Sequence, residues 1–172
     1  KRLGWWSPVT RGIIPLDAVH ISRSLQKNLT RFSVRVDTCF TDVMKACGSS
    51  ARPHGWINNE FIDAYTLLHR SGWANSVEVF LDEQLVGGIY GVRIGRLFAG
   101  ESMFHTHTDA SKTALVALAA LLDAAGVVLF DVQWTTEHLK SLGAVDITRD
   151  SYLRLLKEAQ KSPILRQTKT HG

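Results

Sequence analysis

The run from 75 to 134 constrains this chain more than any other part. It reads as three strands in sequence, "NSVEVFL", "LVGGIYGVRI" and "RLFAGESMF", turning at "DEQ" and "GR". An apolar helix over about 110–125 follows in "DASKTALVALAALLDAAG", with Asp109 as cap and Gly126 as stop. Then comes a fourth apolar strand, "VVLFDVQW". Strand 96–103, helix 110–125 and strand 127–134 form a β-α-β unit, which has a right-handed crossover. It brings "GES" at 100–102 and "DVQ" at 131–133 to one edge, beside the start of the helix. Ligands bind at the carboxyl ends of such strands.

Around this unit the chain reads as alternating short elements. "RGIIPLD" is a short strand or an extended segment, and "SRSLQKNL" (22–29) is a short helix capped by Ser22. "FSVRVD" (32–37) alternates as a strand, and "TCFTDVMKACG" is a helix ended by Gly48. "NNEFIDAYTLLHRSG" is a helix with an Asn cap at 58 or 59 and Gly72 as stop. After 134 come a short helix from Thr136, the strand "AVDIT", and a last helix with Asp150 as cap. Helices, a meander, then helix–strand–helix–strand make an α+β or mixed α/β sheet with helices packed on it. Residues 1–160 are expected to form one domain and 161–172 a frayed tail.

No run of 18 apolar residues occurs, so no membrane partner is expected. Cys39 and Cys47 are too few for a disulfide framework, and a reduced, cytoplasmic protein is the default. The start "KRLGWWSP" has neither Met nor an apolar signal core, and a fragment of a longer chain is expected. Residues 1–35 carry seven Lys and Arg against Asp17 alone, whereas the whole chain has a net charge of +4. A basic end on a nearly neutral body points to a polyanionic partner or to a solvated basic face.

The polar residues near the crossover are the candidates for chemistry. Asp131 and Gln133 are two apart on a strand, so they share a face, and Val132 and Trp134 take the other. Phe130 and Trp134 on either side imply partial burial of the carboxylate, which then needs a partner. Glu101 ends the neighbouring strand. Leu115, Leu118 and Leu122 share a helix face; with Phe98, Phe130 and Ile89 they read as core or as the wall of a cavity. Gly87 and Gly88 admit a close approach to the backbone or mark a bulge. Trp56, Trp5 and Trp6 either stack on a base or plug a core edge. "HTH" (105–107) offers two imidazoles without a third ligand at fixed spacing, and no metal site is expected.

The segments "WWSP", "HISRSL", "GWI", "AYTLLHRSGWANSVEVF", "LVGGIYGV", "FAGESMF", "DASKTALVAL", "DVQWTTEHLKSLGA" and "RLL" occur in this order with short gaps. Together they closely resemble bacterial leucyl/phenylalanyl-tRNA–protein transferases, over roughly 5–157. The resemblance implies a GNAT-like (acyl-CoA N-acyltransferase-like) fold, a mixed sheet flanked by helices. It implies transfer of Leu, Phe or Met from aminoacyl-tRNA to a protein that starts with Arg or Lys, marking it for N-degron degradation. Residue by residue, it makes Asp131 and Gln133 the catalytic pair. It places Ile89, Phe98, Glu101, Leu115, Leu118, Leu122 and Phe130 around the aminoacyl group and Trp56 against the 3′-terminal adenosine. Ile89 stands where a Met is usual and Leu122 where an aromatic is, so the side-chain preference is expected to shift. The family's upstream segment "Y-x-x-G-x-F-P-W" precedes the first residue here.

An aminoacyl-tRNA ester is already activated, so no cofactor, ATP or metal is required. The remaining needs are positioning, a deprotonated amine and a stabilised oxyanion. Gln133 is expected to bind the incoming amine, with Asp131 orienting it and drawing the developing charge. Arg11, Arg23, Lys27, Arg31 and Lys112 are expected to meet tRNA phosphates, and the chain to act as a monomer. An acetyltransferase would need a glycine-rich pyrophosphate loop where "HTHTDAS" stands. A peptidoglycan-type aminoacyl-tRNA transferase or an inactive, truncated tRNA-binding homologue are the other readings.

Overall fold

The structure, a computed structural model, describes residues 7–49 and 57–161. Among the described residues the chain forms strands β1 (Thr10–Ile13) to β7 and helices α1 to α6, with a 3-10 turn at Leu16–Ala18. α1 spans Arg23–Leu29, β2 Ser33–Val36, α2 Phe40–Cys47 and α3 Asn59–Arg70. β3 (Ala74–Leu81), β4 (Gln84–Ile94) and β5 (Leu97–His105) form the expected meander. α4 (Ala110–Ala124) crosses over to β6 (Leu129–Gln133), and α5 (Glu137–Lys140), β7 (Val145–Thr148) and α6 (Arg149–Gln160) complete the chain.

The strands make one sheet in the order β2-β3-β4-β5-β6-β1-β7, with β5 and β6 parallel and every other pair antiparallel. Nothing local in "RGIIPLD" marks the place of β1. It slots between β6 and β7 and so covers the edge of the crossover strand. Alternation along the strands assigns the helices to faces. Ile89, Phe98, Phe130 and Val132 pack with Leu115, Leu118 and Leu122 of α4 on one side. Their neighbours Tyr90, Leu97 and Leu129 face the other way, Tyr90 among residues of α2 and α3 and the two leucines against α6.

Several local signals act as read. Ser22, Asn58 and Thr136 accept the N–H of Leu25, Phe61 and Leu139, and Gly72 and Gly126 take positive φ after their helices. Two caps differ. Asp109 has φ +67 and makes no side-chain cap; its carboxylate instead takes a hydrogen bond from Asn28 at 2.8 Å and pairs with Lys112 at 3.3 Å. Thr148, not Asp150, caps α6 through the N–H of Ser151. β6 is also shorter than the apolar run, because Val127 and Val128 lie before it. Gly87 is approached closely, but by the core: a Cβ there would come within 2.7 Å of the Ala110 Cβ. Residues 50–56, with Trp56, residues 1–6, with Trp5 and Trp6, and the tail from 162 lie outside the described residues.

Candidate functional site

The parallel β5–β6 pairing is brief. It runs from Leu97 opposite Leu129 to Ala99 opposite Asp131 and then stops. Two features part the strands. On β5, Gly100 faces Gly91 and Ser102 faces Tyr90, so Glu101 is the extra residue of a bulge, a device that bends a strand. On β6, β1 occupies the far edge, with Gly12 opposite Gln133 and Ile13 opposite Asp131. Between the diverging ends lies a cleft of about 290 Å³. Ile89, Met103, Val132 and Leu139 supply apolar wall, and Glu101, Ser102, Gln133, Thr136 and His138 supply polar groups.

Asp131 is 2% exposed and makes four hydrogen bonds. Arg11 forks onto it, Nε to Oδ1 at 2.9 Å and a terminal nitrogen to Oδ2 at 2.8 Å. The Tyr152 hydroxyl donates to Oδ2 at 2.8 Å, and the Gln133 N–H donates to Oδ1 at 2.8 Å. The guanidinium also lies 5.4 Å from the Tyr152 ring centroid. Hydrogen bonding to Asp131 raises the Arg11 pKa, although burial opposes it. Burial foremost, then the Asp131 charge, push the Tyr152 hydroxyl up to about 12.

The shared face expected for Asp131 and Gln133 does not exist. Gln133 has φ +63, which breaks strand alternation at the last residue of β6. Asp131 points to α6, whereas Gln133 lines the cleft. Trp134 does not bury the carboxylate; it is 71% exposed at the cleft wall. Burial comes from Arg11 and Tyr152, which lie 120 and 21 positions away in sequence. Neither residue carries a local signal for this role, and Arg11, expected to meet a phosphate, spends its guanidinium on Asp131 instead.

Glu101 sits across the cleft. Burial foremost raises the Glu101 pKa; the hydrogen bond from Tyr65 of α3 opposes this and the Asp131 charge adds to it. Tyr65 itself is pushed up to about 12, first by burial and then by Glu101. Tyr65 is a second contributor that its helical pattern did not single out.

The apolar candidates divide. Ile89 lines the cleft and Phe98, Leu115, Leu118, Leu122 and Phe130 do not, although all six belong to one buried cluster and each is at most 5% exposed. Phe98 and Phe130 meet edge to face at 5.7 Å between centroids, so the space between them is filled. Phe98, Leu118 and Leu122 border a separate hollow of about 120 Å³ with Arg93 and Asn75. Of the basic candidates, Arg23, Lys27 and Arg31 are exposed and Lys112 is half-buried. Arg31 lies beyond α1, which ends at Leu29 with Thr30 as its C-cap. Among the described residues no three His, Cys, Asp or Glu gather to hold a metal, and no helix is long and apolar enough to cross a membrane.

A family model for leucyl/phenylalanyl-tRNA protein transferase matches residues 13–157, which takes in β6, the bulge and Tyr152. The chain belongs to the leucyl/phenylalanyl-tRNA protein transferase family. The leucyl/phenylalanyl-tRNA–protein transferase of Paramagnetospirillum magneticum is 48% identical over 163 residues, covering 92% of this chain and 78% of that protein. That of Herpetosiphon aurantiacus is 49% identical over 158 residues, covering 90% and 82%. Among solved structures FemX superposes with a TM-score of 0.59 at 11% identity, over 89% of this chain and 65% of that one. The C-terminal domain of a lysylphosphatidylglycerol synthetase from Agrobacterium fabrum gives 0.53 at 12% identity, over 73% and 46%. These two show a shared fold, and the mixed sheet flanked by helices expected of this transferase family is the one observed.

Proposed function

We propose that the chain transfers the leucyl, phenylalanyl or methionyl group of an aminoacyl-tRNA to the α-amine of a protein that begins with Arg or Lys. Family membership supports the reaction class. The observation that carries the site assignment is Gln133, held at the rim of an apolar-walled cleft by its own N–H on the clamped Asp131 carboxylate.

The reaction balances without a coenzyme. The acceptor nitrogen attacks the ester carbonyl, a C–N bond forms, the C–O bond to the ribose breaks, and an amine proton passes to the ribose hydroxyl. With a model α-amine pKa of about 8, roughly a tenth of the acceptor is already neutral and nucleophilic at pH 7. The Gln133 carboxamide oxygen accepts an N–H of that amine and aims its lone pair. Asp131 is a positioning residue: its charge is matched by Arg11, and it acts by holding the backbone at 133. Ile89, Met103, Val132 and Leu139 receive the donor side chain. Such a surface separates substrates by only about 1–3 kcal/mol per methylene, so some use of Met follows. Glu101, beside Tyr65, faces the acceptor's cationic side chain. Arg23, Lys27, Arg31 and Lys112 meet tRNA phosphates, and the chain works as a cytoplasmic monomer.

The test is incubation with Leu-tRNA and a peptide starting with Arg or Lys, followed by mass measurement. The expected result is a gain of one leucine residue at the peptide N-terminus. An unchanged peptide would refute the reading. Acceptance only of a peptidoglycan precursor would replace it.

A further inference from the structure

Two features near the cleft have no part in the bond-forming step above. The first is Trp134. It immediately follows Gln133, lines the cleft and is 71% exposed. Its ring is open, but its backbone is fixed: Trp134 N–H bonds the Val132 carbonyl at 2.8 Å, and Gly12 of β1 lies against it so closely that a Cβ would come within 2.7 Å of the Trp134 carbonyl carbon. The indole is therefore an accessible flat face at a fixed place on the cleft rim, the kind of surface on which a base can stack.

The second is a hollow of about 370 Å³ on the far side of α5, with Leu25 and Leu142 as apolar wall and His20, Ser22, Lys112, Lys140 and Ser141 as polar lining. α5 joins the two places. His138 and Leu139 line the cleft and Lys140 lines the hollow. Lys112 lies close enough to His138 that its charge, after burial, lowers the imidazole pKa. Among the described residues Lys140 pairs with exposed Glu137 at 3.1 Å and Lys112 with Asp109 at 3.3 Å, both i,i+3 contacts of the weak kind with which a phosphate competes. A stacking ring followed by a basic groove is the arrangement that holds single-stranded nucleic acid.

We infer that the single-stranded 3′ end of the tRNA crosses α5, one base stacked on Trp134 and its phosphates on Lys112 and Lys140. This rests on aminoacyl-tRNA being the donor. It extends that reading with a nucleotide subsite that starts at Trp134 on the cleft rim and runs into the hollow between α5 and the start of α1.

The experiment measures binding of uncharged tRNA over a range of salt, using the native chain, Trp134→Ala, Trp134→Phe and Lys112→Gln/Lys140→Gln. Loss of one stacked base weakens binding by about tenfold or more, so Trp134→Ala should show that loss and Trp134→Phe should recover most of it. Removing two single-strand phosphate contacts should flatten the slope of log K against log salt by about 1.4. Native affinity in Trp134→Ala with a raised KM for the acceptor peptide would overturn the assignment and give the indole to the acceptor. An unchanged salt slope in the double lysine variant would overturn the phosphate path, and a native chain that binds no tRNA would overturn the whole inference. Normal tRNA binding without peptide product would refute only the transfer reaction.

Discussion

Replacing Arg11 with Met tests whether the buried carboxylate is held as described. The side chain keeps its apolar stem but loses the fork onto Asp131 and its place over the Tyr152 ring. Removing one partner of a buried pair costs about 3–5 kcal/mol. Two facts reduce that here. Arg11 is 26% exposed, so water already screens it, and Asp131 keeps its bonds from Tyr152 and Gln133. A loss of about 2–3 kcal/mol remains, because the carboxylate is 2% exposed and cannot recruit water without local opening. At roughly 2–4 °C per kcal/mol for a domain of this size, Tm should fall by about 5–10 °C. Thermal and urea unfolding followed by circular dichroism measure this, and kcat on Leu-tRNA should fall with it. Arg11→Lys should rescue little, since an ammonium cannot make the two-pronged contact. A Tm within 1–2 °C of native would show that the carboxylate does not depend on Arg11, and the positioning argument would fail with it.

Gln133→Gly should separate stability from function. The αL conformation at φ +63 costs a non-glycine residue roughly 1–2 kcal/mol, so urea unfolding should show no loss or a small gain while turnover collapses. Retained turnover would remove Gln133 from the chemistry. Gly12→Ala should do the reverse of a neutral change. Its Cβ would lie 2.7–2.9 Å from the Trp134 and Thr135 backbone, so both stability and activity should drop, and a crystal structure should show the 134–135 segment displaced. Glu101→Gln should alter the pH dependence of stability. The folded-state pKa of Glu101 is raised above its ordinary 4.5, so the native chain should lose stability as pH rises through the interval between the two values. The variant should lack that component in Tm measured across pH; an identical profile would contradict the burial of Glu101. Phe130→Ala should cost about 3–5 kcal/mol by urea unfolding, the penalty for a core ring, rather than merely widen substrate choice.

What the sequence alone determined is local. Period, caps and stops placed the meander, the crossover helix and α3 with its Asn58 cap, because these depend on residues within one or two turns of each other. The family motifs identified the fold and singled out Gln133. Tertiary structure decided what depends on partners far along the chain. The four residues of β1 carry no label saying that they sit between β6 and β7; that place exists only once both edges are built. Alternation put Asp131 and Gln133 on one face, but the clamp of Arg11 and Tyr152 and the left-handed turn at 133 send them to different sides. The apolar residues were legible as buried but not as wall or filling. Ile89 borders space only because the Glu101 bulge and the β1 pairing spread β5 from β6, whereas Phe98 and Phe130, one pairing step earlier, still close on each other. A hydrophobic pattern encodes that a side chain leaves water, not what it meets when it does.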